Sequence, residues 1–113
     1  MIRYIFISLI LFVTTSYSQE YSIKKVLDLN EPWGSTFINN NNLLITEKSG
    51  KIKIINLKTK EIININHNLN VVEYGQGGLL DIIFENNTVW VSYTEDRGNY
   101  KTSTSIAKGK FNK

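Results

Sequence analysis

The chain has 113 residues, a formal net charge of +3 at pH 7 and no cysteine. Such a length allows at most one small domain once an apolar leader of about 18 residues is set aside. The lack of cysteine excludes a disulfide framework, thiolate metal sites and thiol chemistry. Lysines are interleaved with acidic residues rather than clustered, so we expect no nucleic-acid partner.

The first 18 residues have the pattern of a secretory signal peptide. One cation, Arg3, precedes the apolar run Ile5–Val13, and small residues follow at the positions expected before a cleavage site. The run is about half of the roughly 20 apolar residues that a membrane-spanning helix needs. We therefore predict a signal peptide over 1–18, a domain over 19–113, a periplasmic or secreted location and no stable membrane span.

Beyond the leader, the sequence predicts only β-strands. Short β-branched and aromatic runs alternate with polar residues at period two, and Asn, Gly and charged residues separate them. The intervening turns have the lengths of consecutive antiparallel hairpins. The predicted strands are Ser22 to Leu29, Trp33 to Ile38, Leu43 to Glu47, Lys51 to Ile55, Ile62 to Ile65, Leu79 to Phe84, Val89 to Thr94 and Lys101 to Lys110.

An internal repeat groups these strands into two units. Residues 33–47 align with residues 79–93, which places Phe37 over Phe84, at an offset of 47 residues before the turn and 46 after it. A period of about 40 to 50 residues with four antiparallel strands is typical of a β-propeller blade, although any two hairpins share part of this pattern. Two blades cannot close a ring of about four to eight. The chain is then the front of a longer protein, a remnant, or one of several assembling copies, and we expect the first.

Two segments carry a more specific signal. The first is Glu31-Pro-Trp-Gly34, followed after one hairpin by Leu44-Ile-Thr-Glu-Lys-Ser-Gly50. The second is Gly75-Gln-Gly-Gly-Leu-Leu-Asp81, followed by Val91-Ser-Tyr-Thr94. In this order they resemble the soluble glucose/sorbosone dehydrogenases, six-bladed propeller quinoproteins that oxidise aldose sugars with pyrroloquinoline quinone (PQQ). The resemblance implies an all-β fold: the first two antiparallel four-stranded blades of a six-bladed β-propeller, incomplete in this chain.

Three departures from the family pattern indicate a divergent member. Lys48 stands where the family usually has Arg, and Asn40-Asn-Asn42 replaces a Pro-Asp-Gly turn. The usual His-Pro-x-Phe segment is also missing after Phe84.

The resemblance implies that Gln76 and Gly77 belong to the substrate and cofactor site. A glutamine amide has two donors and one acceptor but transfers no proton near neutral pH, so Gln76 can orient a hydroxyl or quinone oxygen and cannot be the base. Without the flanking match, the same residues describe a glycine-rich turn with an exposed Gln. In the family, three groups lie beyond the position that corresponds to Lys113: the histidine that acts as the general base, the cations that hold PQQ, and the calcium ligands. We therefore predict no catalytic residue, no metal ligand and no bound PQQ or calcium for this chain alone.

Other polar and aromatic residues have structural interpretations beside functional ones. Asp81, within an apolar strand, either lines the propeller channel or accepts hydrogen bonds from backbone amides, and we favour the second. Trp33 and Trp90 are expected to pack between blades. His67, the single histidine, is expected in a solvated loop.

Two functions are consistent with these residues. The first is the amino-terminal portion of a secreted quinoprotein that passes a hydride from an aldose to PQQ, yields a lactone and uses a separate electron acceptor. The second is a non-catalytic extracellular propeller that binds a ligand, because fold does not settle function. A free-standing small β protein is disfavoured, because two blades leave apolar faces and an open sheet edge exposed.

Overall fold

The computed structural model describes residues 17–111, which form two antiparallel sheets and contain no helix. The first sheet has four strands in the order β1-β2-β3-β4 and the second has three in the order β5-β6-β7. Within this part of the chain, then, nothing has the length and apolarity of a membrane-crossing helix. The strands are β1 (Pro32–Asn39), β2 (Asn42–Glu47), β3 (Lys51–Asn56), β4 (Ile62–Ile65), β5 (Leu79–Glu85), β6 (Thr88–Asp96) and β7 (Thr102–Lys110).

The hairpin turns follow from Asn and Gly at positions of positive φ. Asn86 and Asn87, with φ of 50° and 58°, make the two-residue turn between β5 and β6, and this backbone matches the twist of the flanking strands. Gly50 has a φ of 99° in the β2–β3 turn. The Asn39 side chain accepts the N–H groups of residues 41 and 42 at 2.9 Å and closes the β1–β2 turn.

The internal repeat is confirmed by the pairing register of the two hairpins. Phe37 pairs with Leu43 in the first sheet, and their counterparts Phe84 and Val89 pair in the second. Both ladders have an irregularity at the equivalent place, near the start of the first strand. The same correspondence holds for Pro32–Glu47 with Leu79–Tyr93, Ser35–Ile45 with Ile82–Val91, and Thr36–Leu44 with Ile83–Trp90.

The hydrophobic core lies between the two sheets. Side chains of alternate residues on each strand face the opposite sheet, as period-two patterning predicts. The two sheets contact each other through β1 and β2 of the first sheet and β5 of the second. The buried core cluster consists of Leu44, Ile52, Leu79, Ile82, Val91 and Tyr93.

One predicted strand is wrong. Ser22 to Leu29 has no strand structure and is mostly exposed, with Ile23 at 94%. The segment has a strand-like pattern, but a strand also needs a neighbouring edge, and no ladder within residues 17–111 includes it. The second sheet has three strands where a four-stranded blade was expected. Residues 1–16 of the predicted signal peptide lie outside the described residues.

The tryptophans, which were expected to pack between blades, do not pack between the two described sheets. Trp33 and Trp90 are half exposed, at 50% and 41%. On β6, Val91 and Tyr93 face the first sheet, so the alternation turns Trp90 to the opposite face. There the Lys108 Nζ lies 5.3 Å from the ring centroid of Trp90.

Candidate functional site

Gln76 lies at the tip of a tight turn in the connection between the two sheets. The turn is closed by the Gly77 N–H, which donates to the Tyr74 carbonyl at 2.7 Å. Gly75 has a φ of 56°, a conformation that favours glycine. The Gln76 side chain is exposed, so its amide is available to a ligand.

The next two glycines are required by the packing of the chain against itself. A Cβ on Gly77 would lie 2.6 Å from the Thr94 Oγ1, and a Cβ on Gly78 would lie 2.3 Å from the Lys48 carbonyl oxygen. The absence of a Cβ therefore lets the backbone at Gly77 lie against β6 and the backbone at Gly78 lie against the end of β2. Gln76 is thus presented from a turn whose base has little room to move.

Hydrogen bonds to both sheets hold the base of the turn. The Leu79 N–H donates to the Lys48 carbonyl at 3.0 Å, and the Thr94 N–H donates to the Gly78 carbonyl at 2.8 Å. The Gly78 N–H in turn donates to the Thr94 hydroxyl at 3.1 Å. The position of Gln76 therefore depends on both sheets.

Lys48, which replaces the usual arginine, directs its charge towards the protein. Its side chain is 17% exposed, and its Nζ lies 4.0 Å from Glu31 Oε1 and 4.0 Å from Glu73 Oε1. These loose ion pairs connect the start of β1 with the connection that carries Gln76. We infer that Lys48 is engaged by these carboxylates rather than free for an anionic ligand.

Thr46 is a fully buried polar residue that joins the two sheets. Its hydroxyl accepts the Gly34 N–H at 2.9 Å and donates to the Leu80 carbonyl. The repeat has the same bond at the equivalent place, where the Asp81 N–H donates to the Ser92 hydroxyl at 3.1 Å, but that second bond is exposed. Sequence reasoning missed this role; the signal was a Thr-Glu pair at the end of an apolar strand.

Glu47 is fully buried beside Thr46 and carries a charge. Its Oε1 accepts from the Lys53 Nζ at 2.7 Å and from the Asn30 N–H at 2.9 Å, and its Oε2 has no hydrogen-bond partner. Burial raises the pKa of Glu47, but the bonds from Lys53 and Asn30 and the charges of Lys53 and Lys51 together bring this pKa below its ordinary value. The Glu47 carboxylate thus fixes the chain entering β1 to the first sheet.

Asp81 is exposed at the irregular start of β5, where the two inner strands approach each other. Its Oδ1 accepts the Ile82 N–H at 2.9 Å, which agrees with the favoured prediction of a backbone acceptor. A Cβ on Gly34 would lie 2.7 Å from this oxygen. Gly34 of the first motif therefore has no room for a side chain, because Asp81 of the second motif lies against it.

His67 lies in an exposed loop, as predicted, and holds that loop in place. Its Nε2 and the Gly50 carbonyl oxygen are 2.6 Å apart, and its Nδ1 accepts the Leu69 N–H at 3.2 Å. A ring with the proton on Nε2 satisfies both bonds. Both ring nitrogens are thus occupied by the backbone.

A separate polar cluster lies at the end of β6. Glu95 Oε2 accepts from Arg97 Nη2 at 2.9 Å and from the Ser105 hydroxyl at 2.7 Å. Burial, together with the Glu95 charge, raises the pKa of the Tyr93 hydroxyl. No group of three or more His, Asp or Glu residues within 17–111 could hold a metal ion.

Comparison with known proteins identifies relatives of this arrangement. The sequence profile described as Glucose / Sorbosone dehydrogenase matches residues 29–113. A search of curated proteins gives no match.

Solved structures of sugar dehydrogenases contain the same fold. A glucose dehydrogenase crystal structure matches 80% of this chain at 26% identity with a TM-score of 0.73. The apo soluble aldose sugar dehydrogenase of Escherichia coli matches 73% at 28% identity and a TM-score of 0.66. The PQQ-bound aldose sugar dehydrogenase of Streptomyces coelicolor matches 76% at 22% identity and a TM-score of 0.66, which concerns the fold alone.

The chain spans about a quarter of the length of these proteins, 28%, 25% and 26% respectively. These likenesses confirm the prediction of a propeller-type, all-β arrangement and the family resemblance. The roles of Gln76 and Gly77 stay predictions.

Proposed function

Because the chain belongs to the glucose/sorbosone dehydrogenase family, we propose that it is the amino-terminal part of a periplasmic or secreted quinoprotein that oxidises aldose sugars to lactones. In this proposal residues 1–18 are a signal peptide and residues 19–113 are the first part of the propeller. The observation that carries the proposal is the exposed Gln76 amide on a turn fixed to both sheets. A group that orients a substrate requires such a rigid support.

The residues of the turn fit a sugar hydroxyl or a quinone oxygen. The Gln76 amide offers two donors and one acceptor, and it stays neutral at any working pH. When bound, PQQ supplies the two-electron acceptor for the hydride that leaves the sugar. Gln76 would hold and orient its oxygen partner, with Gly77 keeping the backbone of the turn beside Thr94.

Proton removal requires a group other than Gln76. His67 is engaged by the backbone at both ring nitrogens, and Lys48 faces two carboxylates. We therefore assign no catalytic base to this chain, and we propose that the base, the cations that hold PQQ and the calcium ligands come from later blades. An external electron acceptor completes the proposed cycle.

The proposal is tested in the polypeptide encoded by the whole reading frame, assayed for sugar-dependent dye reduction with added PQQ and calcium. Replacing Gln76→Ala removes about one hydrogen bond, worth about 1 kcal/mol, so kcat/KM should fall by about five- to tenfold. Asn40→Ala, at the exposed β1–β2 turn, is the matched control and should leave kcat/KM unchanged. Unchanged kcat/KM in the Gln76 variant removes the role assigned to this residue. A folded polypeptide that oxidises no sugar favours the non-catalytic binding module.

A further inference from the structure

A shallow groove with two exposed tyrosines lies beside the turn that carries Gln76. It has a volume of about 640 Å³, and Tyr74 and Tyr100 line it together with Asp96, Asn99 and Lys101. The exposed fractions of Tyr74 and Tyr100 are 79% and 108%. Aromatic rings left this open on a surface are typical of binding sites.

The turn that carries Tyr100 has an unusual backbone that is held in place by hydrogen bonds. Gly98, Asn99 and Tyr100 have φ values of 72°, 51° and 59°, and a left-handed conformation is uncommon for a bulky residue. The Gly98 N–H donates to Asp96 Oδ1 at 2.7 Å, and the Lys101 N–H donates to the Gly98 carbonyl at 3.0 Å. Strained residues that the surroundings hold in this way cluster at ligand sites.

The two walls of the groove are joined by backbone hydrogen bonds. The Val72 N–H donates to the Thr94 carbonyl at 2.9 Å, and the Asp96 N–H donates to the Asn70 carbonyl at 3.4 Å. The segment that leads to Tyr74 is therefore attached to β6, from which the Tyr100 turn continues. The backbone of both walls is therefore held in place, so that ligand binding needs to order only the side chains.

The chemistry of the lining selects among ligand classes. Glu73, Asp96 and Lys101 give the groove one cation and two carboxylates, which disfavours a polyanion. Val72 is the one aliphatic side chain of the lining, so an apolar partner has little to contact. A neutral ligand with C–H faces for the rings and hydroxyls for the carboxylates and amide fits best.

We propose that this groove, whose lining includes Tyr74 of the Gln76 turn but not Gln76 itself, binds a pyranose unit of a saccharide. The rings of Tyr74 and Tyr100 stack on the sugar, and Asp96, Asn99 and Lys101 hydrogen-bond its hydroxyls. This binding is independent of quinone chemistry. It gives the protein a means of holding a carbohydrate without oxidising it.

The test is titration of the ¹⁵N-labelled polypeptide encoded by the whole reading frame with maltotriose, followed by the amide shifts of residues 96–102. Tyr74→Ala and Tyr100→Ala should each weaken binding about tenfold, because each removes one stacking surface. Tyr21→Ala is the matched control, since Tyr21 is also 79% exposed but lies outside the groove. Its affinity should stay within twofold of the parent polypeptide.

Tyr100→Phe keeps the ring and should retain binding within about threefold, which preserves the test if Tyr100→Ala does not fold. Absence of shifts with maltotriose, or equal weakening by Tyr21→Ala, overturns the proposal. The proposal is also overturned if a tyrosine variant changes the oligomeric state and maltotriose causes no amide shift, because the groove is then a contact between protein molecules. Loss of binding in Gln76→Ala alone places the saccharide at the Gln76 turn, which contradicts this groove and supports the proposed dehydrogenase. Failure of the dehydrogenase assay leaves the groove result unaffected.

Discussion

Thr46→Val should destabilise the chain strongly, although the two side chains have nearly the same shape. The Thr46 hydroxyl serves the buried Gly34 N–H and the partly buried Leu80 carbonyl. Valine leaves both groups without a partner, at about 1 to 3 kcal/mol for each. The expected loss is therefore about 3 kcal/mol, equivalent to a fall of about 2 M in the urea midpoint.

Urea unfolding of the polypeptide encoded by the whole reading frame, followed by tryptophan fluorescence, measures this loss, and the repeat provides the matched control. Ser92 makes the equivalent bond to the Asp81 N–H in an exposed setting, where water replaces the lost partner, so Ser92→Ala should cost less than about 1 kcal/mol. Thr46→Ser keeps the hydroxyl and should cost about 1 kcal/mol for one methyl group. Equal losses in Thr46→Val and Ser92→Ala would refute the reasoning that burial makes the first bond important.

Three further predictions concern the charged pair and the glycine turn. The folded-state pKa of Glu47 lies below its ordinary value of 4.5, so its charge stabilises the fold above that pH, and this contribution is lost as the pH falls through the folded-state pKa. Glu47→Gln should therefore make the urea midpoint depend less on pH between pH 3 and 6. An unchanged pH dependence of the midpoint would contradict the assignment. Lys53→Met leaves the Glu47 carboxylate buried without its cation and should cost about 3 to 5 kcal/mol in urea unfolding, whereas a loss below about 1 kcal/mol would show the pair to be unimportant. A Cβ on Gly78 meets the Lys48 carbonyl, whereas one on Gly75 meets no atom within 4 Å. Gly78→Ala should therefore lower the thermal midpoint more than Gly75→Ala. The reverse order would argue against this packing.

The strands and their grouping could be predicted from the sequence because both depend on local pattern. Alternating apolar residues and Asn or Gly turns gave all seven strands of the two sheets. The alignment of Phe37 with Phe84 also predicts that the two residues hold equivalent positions in their ladders. The position of each residue is set by its distance from the hairpin turn that follows it. A period-two pattern and a turn position are sufficient to fix register.

Features that depend on distant partners could not be predicted in this way. The pattern of Ser22 to Leu29 is compatible with a strand, but whether a sheet edge lies beside it is a property of the whole fold. The bond from Thr46 to the Leu80 carbonyl spans 34 residues. The flanking motif identifies Gln76 as a candidate, whereas the attachment of its turn through Lys48 and Gly78 is visible only in the structure.

The central claim is that these residues begin a sugar-oxidising quinoprotein, and sequencing the genomic DNA beyond the codon for Lys113 tests it most directly. The account predicts that the frame continues for about 250 residues or more, enough for four more blades of about 40 to 50 residues each. That continuation should supply a histidine for the base and clustered Arg and Lys for the PQQ carboxylates. A stop codon directly after Lys113 would contradict the account and remove the functional assignment of Gln76.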